Sequence, residues 1–567
     1  MGDSRANGIR FAGHGWRRVL SVFMQPLTGV ALLTLLAIVL RLIGIESRSL
    51  WGDELFTIAH AMGSVIRPET LAQLGHGMDP TAPQTAGDYI SQYFTRRGEA
   101  MELAPTLRAL MMNNHPPLYF WLIRLTVDAW GLTPLALRLP SLLASAGCVP
   151  LLFLLGRRLH SAPVGVIAAA MMALSGYQVF HAQDARPYAL LTLIALAALG
   201  LLVKTLDEAL DDASMRAFAP RQLLRWLGWT LLCVAGLYTH YFFAPFCVFM
   251  LLYGVIRAWR APRTLLALMI SVALAAACVY PWLSVLKAQA HWISQEGHFT
   301  GGRWDWIQAP EIIWRMLCEY IAPKSPWLRV ALPILLIYGM GVMFYVRRSR
   351  WTISRLTLCC LVWIACIEGF MLAYDVTLNA NLLSVRRYGM LAAPAFYLLI
   401  ACVIVNIKTR ERLIQPAILT GLLGWMLLNS LWITLTHGLT GGDYREAASY
   451  IVHHHAGGRE TVLVNPSGPP VMGMAFYLPA PTPLLGLPAR SMFTMADRQA
   501  VESRVKAAMA QSSRIWVVYS DSAPSAQLFI DRALTAQQFL PGDQQRFEGV
   551  QLSLYERFDP RATRRAP

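Results

Sequence analysis

Two adjacent carboxylates, Asp53 and Glu54, stand in the stretch Ser47-Arg48-Ser49-Leu50-Trp51-Gly52-Asp53-Glu54-Leu55-Phe56. The stretch follows directly on an apolar segment, residues 25–45, long enough to cross a bilayer. A carboxylate where a helix leaves the membrane can ionise without the cost of burial in lipid. Such a group serves as a general base or a charge stabiliser, and Trp51 suits the same boundary. The plain structural alternative is a helix N-terminus with acidic residues in its first turn.

Further clusters carry chemistry. In Asn114-His115-Pro116-Pro117 the prolines suit a first helical turn. They fix the backbone where His115 can bond a substrate, position a carboxylate or simply meet water. Gln183-Asp184-Ala185-Arg186-Pro187-Tyr188 joins two apolar segments. Asp184 and Arg186 can pair with each other, or Arg186 can face an anion at the headgroup level. His240, in Thr239-His240-Tyr241, belongs to the same face. Arg386-Arg387-Tyr388 places two arginines at the start of an apolar segment, where they suit a phosphate or lipid headgroups. The stretch 284–328 holds His291, Trp292, Arg303, Trp304, Trp306 and Trp327, which suits a sugar face or an interfacial lid, or rest on headgroups. Glu368 lies inside an apolar segment, a position that marks either function or pairing with a neighbouring helix. His453-His454-His455 reads as a solvated helix end. The nine cysteines show no CxxC spacing, so neither a zinc site nor a disulfide framework is indicated.

The elements that position these residues are membrane helices. The chain of 567 residues is 55% hydrophobic and only 14% charged, well below a soluble domain. The net charge of +16 does not indicate nucleic acid, because the cations cluster in short loops between apolar segments, as topology signals do. Arg5, Arg10, Arg17 and Arg18 put the N-terminus in the cytoplasm. Spans are expected at about 25–45, 135–155, 163–181, 187–204, 222–239, 243–258, 264–283, 329–346, 356–374, 388–407 and 413–436, eleven in all. Residues 116–131 are too short to span and carry Arg124 and Asp128 four apart, so they are read as an amphipathic helix at the interface. Every cluster above except the intramembrane Glu368 then falls on the outer face. So do a first outer loop, 46–134, a second, 284–328, and residues 437–567. That last stretch turns polar: Asp443-Tyr444-Arg445-Glu446 reads as a capping box, and 461–464, 515–519 and 550–555 read as strands. The expected architecture is therefore mostly α: a polytopic bundle over 1–436 and a small extramembrane α/β domain over 437–567.

The ordered set Trp51-Gly52-Asp53-Glu54, His115-Pro116-Pro117-Leu118-Tyr119, Leu137-Arg138-Leu139-Pro140-Ser141, Gln183 to Tyr188, and Arg387-Tyr388 with Pro394 resembles the bacterial membrane glycosyltransferases related to protein O-mannosyltransferases. These are C-type glycosyltransferases, and the lipid A aminoarabinose transferase is a more distant member. The resemblance covers roughly residues 25–410. It implies a multi-spanning enzyme of the cytoplasmic membrane whose outward-facing site moves a hexose, mannosyltransferase-like, from a polyprenyl-phosphate donor to a lipid, glycan or protein acceptor. By the same resemblance Asp53 matches the catalytic carboxylate and Glu54 the second acidic position. His115, Arg186, Tyr188 and Arg387 fall on motif positions near the cavity. Gln183, Asp184, His240 and Tyr388 stand beside them on the outer face and complete the expected substrate-binding set. No acidic cluster beyond Asp53 and Glu54 is evident, so no divalent metal or other cofactor is expected. The competing reading is a transporter or flippase for a lipid-linked sugar, which would show internal repeats and helices broken at mid-membrane.

Overall fold

The computed structural model describes residues 26–66, 85–99, 102–111, 113–211, 219–296, 309–325, 354–378, 380–406, 414–436, 442–455, 459–466, 468–487, 495–520 and 527–558. Helix α1 (Pro26–Leu42) leads to α2 (Gly52–Ala61), which carries Asp53 and Glu54. Three short elements follow: α3 (Ala86–Tyr89) running into a π-turn, α4 (Ala104–Leu110), and α5 (Leu118–Trp130). Gly131, at φ +79, ends α5 in a conformation that favours glycine. Thr133 then caps α6 (Pro134–Leu159), its side chain accepting from Ala136 N, with Pro134 in the first turn where its missing N–H costs nothing.

The bundle continues as α7 (Ala162–Leu174), α8 (Gly176–Ala182), α9 (Tyr188–Asp211), α10 (Pro220–Thr239), α11 (Phe243–Ala258), α12 (Pro262–Val279), α13 (Leu283–Glu296), α14 (Ala309–Ile321), α15 (Arg355–Leu378), α16 (Ala393–Asn406) and α17 (Ile414–Thr436). Helices α6 and α7 approach closely at Gly156 and Gly165. A Cβ on Gly165 would lie 2.5 Å from Phe153 O, so only glycine permits this crossing. Among the described residues five helices are long and apolar enough to cross a membrane, or six if the α7–α8 pair is one bent span. Helices α1, α11 and α16 are apolar but shorter. The chain is a polytopic membrane protein. The expected segment 329–346 lies outside the described residues; the other expected spans form helices.

Several details depart from expectation. Segment 163–181 is not one helix: it bends by 56° at Ser175. The carbonyls released there are taken by Arg41, which donates to Met172 O and Ala173 O at 3.0 and 3.1 Å and to Ser145 Oγ at 2.8 Å. A buried cation on α1 thus closes the backbone of a broken neighbour, as lipid would require. The helix expected from residue 388 starts at Ala393, after a 3-10 segment at Arg386–Leu391. In α5, Arg124 is fully buried and turns to the carbonyls of Arg97 and Glu99 rather than to Asp128, which pairs with Arg96 at 3.4 Å. The stretch 284–328, read as a loop, contains most of α13 and all of α14.

The last part of the chain holds α18 (Tyr444–His453), β1 (Glu460–Asn465), α19 (Pro469–Tyr477), β2 (Leu484–Gly486), α20 (Met495–Gln511), β3 (Arg514–Ser520), α21 (Gln527–Thr535), β4 (Phe539–Phe547) and β5 (Val550–Arg557). The sheet order is β2-β1-β3-β5-β4, parallel across the first three strands and antiparallel thereafter. One face packs on α20 and α21 through Leu463, Ile515 and Val505. The other shares a core with the segment between α1 and α6: Val462, Val464 and Trp516 join Leu55, Ile58, Tyr89 and Phe120 in one apolar cluster. Backbone bonds reinforce the joint. Ala86 N donates to Thr482 O and Gly87 N to Ala480 O, both at 2.9 Å, and Leu50 N reaches Tyr477 Oη at 2.9 Å. Helix α19 lies against Gly52, where a Cβ would come within 3.1 Å of Pro469. The C-terminal sheet is thereby a support for the helix that carries Asp53.

Candidate active site

Glu54 sets the position of α2. Its Oε1 accepts from Arg138 Nε at 2.8 Å and from Ala185 N at 2.9 Å; its Oε2 accepts from Arg138 Nη2 at 2.8 Å and from Trp51 N at 3.3 Å. Arg138 also donates to the carbonyls of Ile45, Arg48 and Ser49. Neither side chain is exposed. Both Glu54 oxygens, expected as a second acidic position of the site, are committed to holding three chain segments together.

Asp53, one residue earlier, faces another way and is a quarter exposed. Its Oδ2 lies 3.1 Å from Arg387 Nη2 and 3.7 Å from Arg186 Nη2. Arg186 is held at several points. Its Nη1 donates to Thr57 Oγ1 at 3.0 Å and to Asp53 O at 3.3 Å, and its Nη2 to His115 Nε2 at 3.0 Å. His115 accepts that bond in its neutral form and meets Asn113 Oδ1 through Nδ1 at 3.3 Å. Burial first, and Arg186 second, hold its pKa well below the ordinary imidazole value. Burial opposes the charge on both arginines, yet their pKa values stay raised, by Asp53 for Arg186 and by Tyr188 and Asp53 for Arg387.

Arg387 sits in the 3-10 segment, its guanidinium 5.4 Å from the rings of both Trp51 and Tyr388. The turn before it is pinned by Asp375, which accepts from Leu382 N at 2.6 Å and Leu383 N at 2.9 Å. Arg386 points elsewhere, to Glu319 at 2.7 Å. An aromatic wall stands beside the arginines. The Tyr188 ring lies 5.3 Å from His240 and 6.1 Å from Tyr388, and His240 lies 5.4 Å from His115. The buried Tyr188 hydroxyl has no hydrogen-bond partner among the described residues.

Of the expected site residues, Asp53, His115, Arg186, Tyr188, His240, Arg387 and Tyr388 converge. Gln183 and Asp184 do not join them as ligands. Gln183 donates to Arg41 O and Ile43 O, at the C-terminal end of α1. Asp184 is buried and accepts from Trp51 Nε1 at 2.9 Å rather than pairing with Arg186. Burial would raise its pKa, but His181, Arg48 and Trp51 leave it lowered. Glu368 lies apart and accepts from Tyr320 Oη. Trp51, Thr57, Arg138 and Asp375 complete the site without having been singled out as ligands. The signal for Arg138 was a cation in the N-terminal part of an apolar helix, far from the arginines of its last turn. Among the described residues no group of three or more His, Cys, Asp or Glu side chains is gathered to hold a metal ion.

Residues 114–285 match the sequence profile of the dolichyl-phosphate-mannose-protein mannosyltransferases. No curated protein matches the chain. Among solved structures, ArnT from Cupriavidus metallidurans in the apo state aligns over 93% of this chain and 97% of its own, at 13% identity and a TM-score of 0.52. The chain has the fold of the C-type membrane glycosyltransferases. The profile match spans residues 114–285, and the likeness to ArnT is one of fold. ArnT from the same organism bound to undecaprenyl phosphate aligns over 96% of this chain and 98% of its own, at 12% identity and TM-score 0.49. The oligosaccharyltransferase AglB from Archaeoglobus fulgidus, in complex with an inhibitory peptide and a dolichol-phosphate, aligns over 96% and 75%, at 10% identity and TM-score 0.47. In this C-type fold the arginine-flanked Asp53 sits at the N-terminus of the helix that follows α1.

Proposed function

We propose that the chain transfers a sugar, a hexose of the mannose type, from a polyprenyl-phosphate donor to an acceptor hydroxyl at the outer face of the cytoplasmic membrane. The observation that carries this reading is the Asp53 carboxylate bracketed by the guanidinia of Arg186 and Arg387. The matched family's name supplies the donor class, a sugar on a polyprenyl phosphate. Two cations with unfilled donor atoms suit the donor's phosphate, and guanidinium geometry fits phosphate better than ammonium does.

The step is a single displacement. The acceptor O–H gives its proton to Asp53 as the acceptor oxygen bonds to the anomeric carbon. The bond from that carbon to the phosphate oxygen breaks, and the electron pair stays on the departing polyprenyl phosphate. Arg186 and Arg387 stabilise the charge that develops there, and the phosphate needs no proton to leave. A single displacement inverts the anomeric centre. The cationic role belongs to the arginines, so the reading includes no metal.

A transporter gains one cue, the broken span at Ser175. Yet the backbone freed there is filled by Arg41 instead of facing a cavity. Labelled polyprenyl-phosphate hexoses supplied to the purified protein in sealed proteoliposomes test the proposal. Transfer of label to an acceptor supports it. Passage of intact donor across the bilayer with no transfer overturns it.

A further inference from the structure

We infer that the donor phosphate and Asp53 compete for the same guanidinium, that of Arg387, so that donor binding itself releases the base from its ion pair. This inference rests on the phosphate-binding reading above. Both arginines meet Asp53 at one atom, Oδ2, which is buried between them, while the rest of the carboxylate accounts for its quarter exposure. The two arginines are held differently. Arg186 is fastened by Thr57, His115 and the Asp53 carbonyl, and is nearly buried. Among the described residues Arg387 has one ionic partner, Asp53, and otherwise rests on the faces of Trp51 and Tyr388. Its side chain is about a quarter exposed, and its Nε is a buried donor with no hydrogen-bond partner, as is Arg186 Nε. Arg387 is the member free to move, and both arginines hold a spare N–H for an incoming anion.

The charges support the exchange. Two guanidinia and one carboxylate leave a single positive charge. A polyprenyl-phosphate sugar is a phosphodiester with one negative charge, so the donor-bound cluster is neutral. After transfer, Asp53 carries the acceptor's proton and the polyprenyl phosphate is a monoester with up to two negative charges. The cluster is again neutral. Loss of the proton from Asp53 restores its hold on Arg387 and favours release of the product. The carboxylate is thus released from its Arg387 ion pair only while a donor is present, which links its freedom as a base to donor binding.

The test is a double-mutant cycle on affinity for undecaprenyl phosphate in nanodiscs, with wild type, Asp53→Asn, Arg387→Gln and the double variant. Asp53→Asn should bind roughly tenfold tighter than wild type, because Arg387 no longer has to leave a charged partner. In the Arg387→Gln background the same change should give no gain. An equal gain in both backgrounds would mean bulk charge repulsion alone and would overturn the exchange, as would no gain in either. Difference infrared spectroscopy of wild type gives a second reading that needs no Arg387 variant. Undecaprenyl phosphate should shift a carboxylate band that is missing from Asp53→Asn, and an unshifted band contradicts the inference. Turnover is a separate readout. An active Asp53→Asn variant removes Asp53 as the base while leaving the binding cycle to stand or fall by itself.

Discussion

Glu54 and Arg138 meet at two points, Nε to Oε1 and Nη2 to Oε2, both at 2.8 Å, with neither side chain exposed. Removing one partner of such a pair leaves a buried charge and costs about 3–5 kcal/mol. Glu54→Gln and Arg138→Gln should therefore both lower the thermal unfolding midpoint in detergent. A Glu54→Gln protein that unfolds like wild type but has lost turnover would return Glu54 to the chemistry.

Arg186 and Arg387 should each contribute to donor binding. Replacing either by alanine should weaken donor affinity by about 10- to 100-fold, the loss of one charge-assisted contact of roughly 1.5–3 kcal/mol. Lysine should restore only part, since an ammonium lacks the planar fork. Affinities measured by titrating labelled donor into nanodiscs decide the matter. Wild-type affinity in both alanine variants would make the arginines headgroup anchors.

The buried histidines give the protein an acid-sensitive stability. Burial is the larger cause in both His60, whose pKa is lowered to about 4, and His115, lowered well below the ordinary value. The unfolded chain takes up these protons near the ordinary value of 6.5 while the folded chain resists. Below that value the unfolded state binds more protons, so stability is lost as pH falls from about 6.5 towards 4. Unfolding midpoints at pH 7.5 and pH 5 should differ in this direction, and His115→Gln should narrow the gap. An unchanged gap in His115→Gln would assign the effect to other groups.

Topology is the fourth expectation. Reporter fusions after Arg350 and after Gly442 should report opposite sides of the membrane, with the second outside. The same side for both would place the sheet and Asp53 away from the proposed outer face.

Much of this was legible in the sequence, and the exceptions have physical causes. Strands β1 and β3 are rich in β-branched and aromatic residues, and β5 alternates apolar with polar residues from Val550 to Leu554, so all three read directly. Strand β2 has only three residues after Pro483, and β4 is a mostly exposed edge strand containing Pro541 and Gly542, so neither shows alternation. The break at Ser175 gave no cue beyond Gly176, because its stabiliser, Arg41, lies 134 residues away. At the site, Asp53 and Arg387 were legible as charges outside the membrane with no local partner. The division of labour between Asp53 and Glu54 was not. Adjacent residues on a helix face directions about 100° apart, and which of them is buried depends on Arg138, a contact that no local spacing encodes. Asp184 misled for the same reason, since its partner is Trp51 and not the arginine two residues away.

The central claim is that Asp53 accepts the acceptor's proton, and single-turnover kinetics of Asp53→Asn test it most directly. The amide keeps the shape and the contacts of α2 but lacks the basic oxygen. With protein shown to be folded and saturated with donor, turnover should fall by about 10²–10⁴-fold, the usual contribution of a positioned base. Near-normal turnover in that donor-loaded Asn variant would contradict the account.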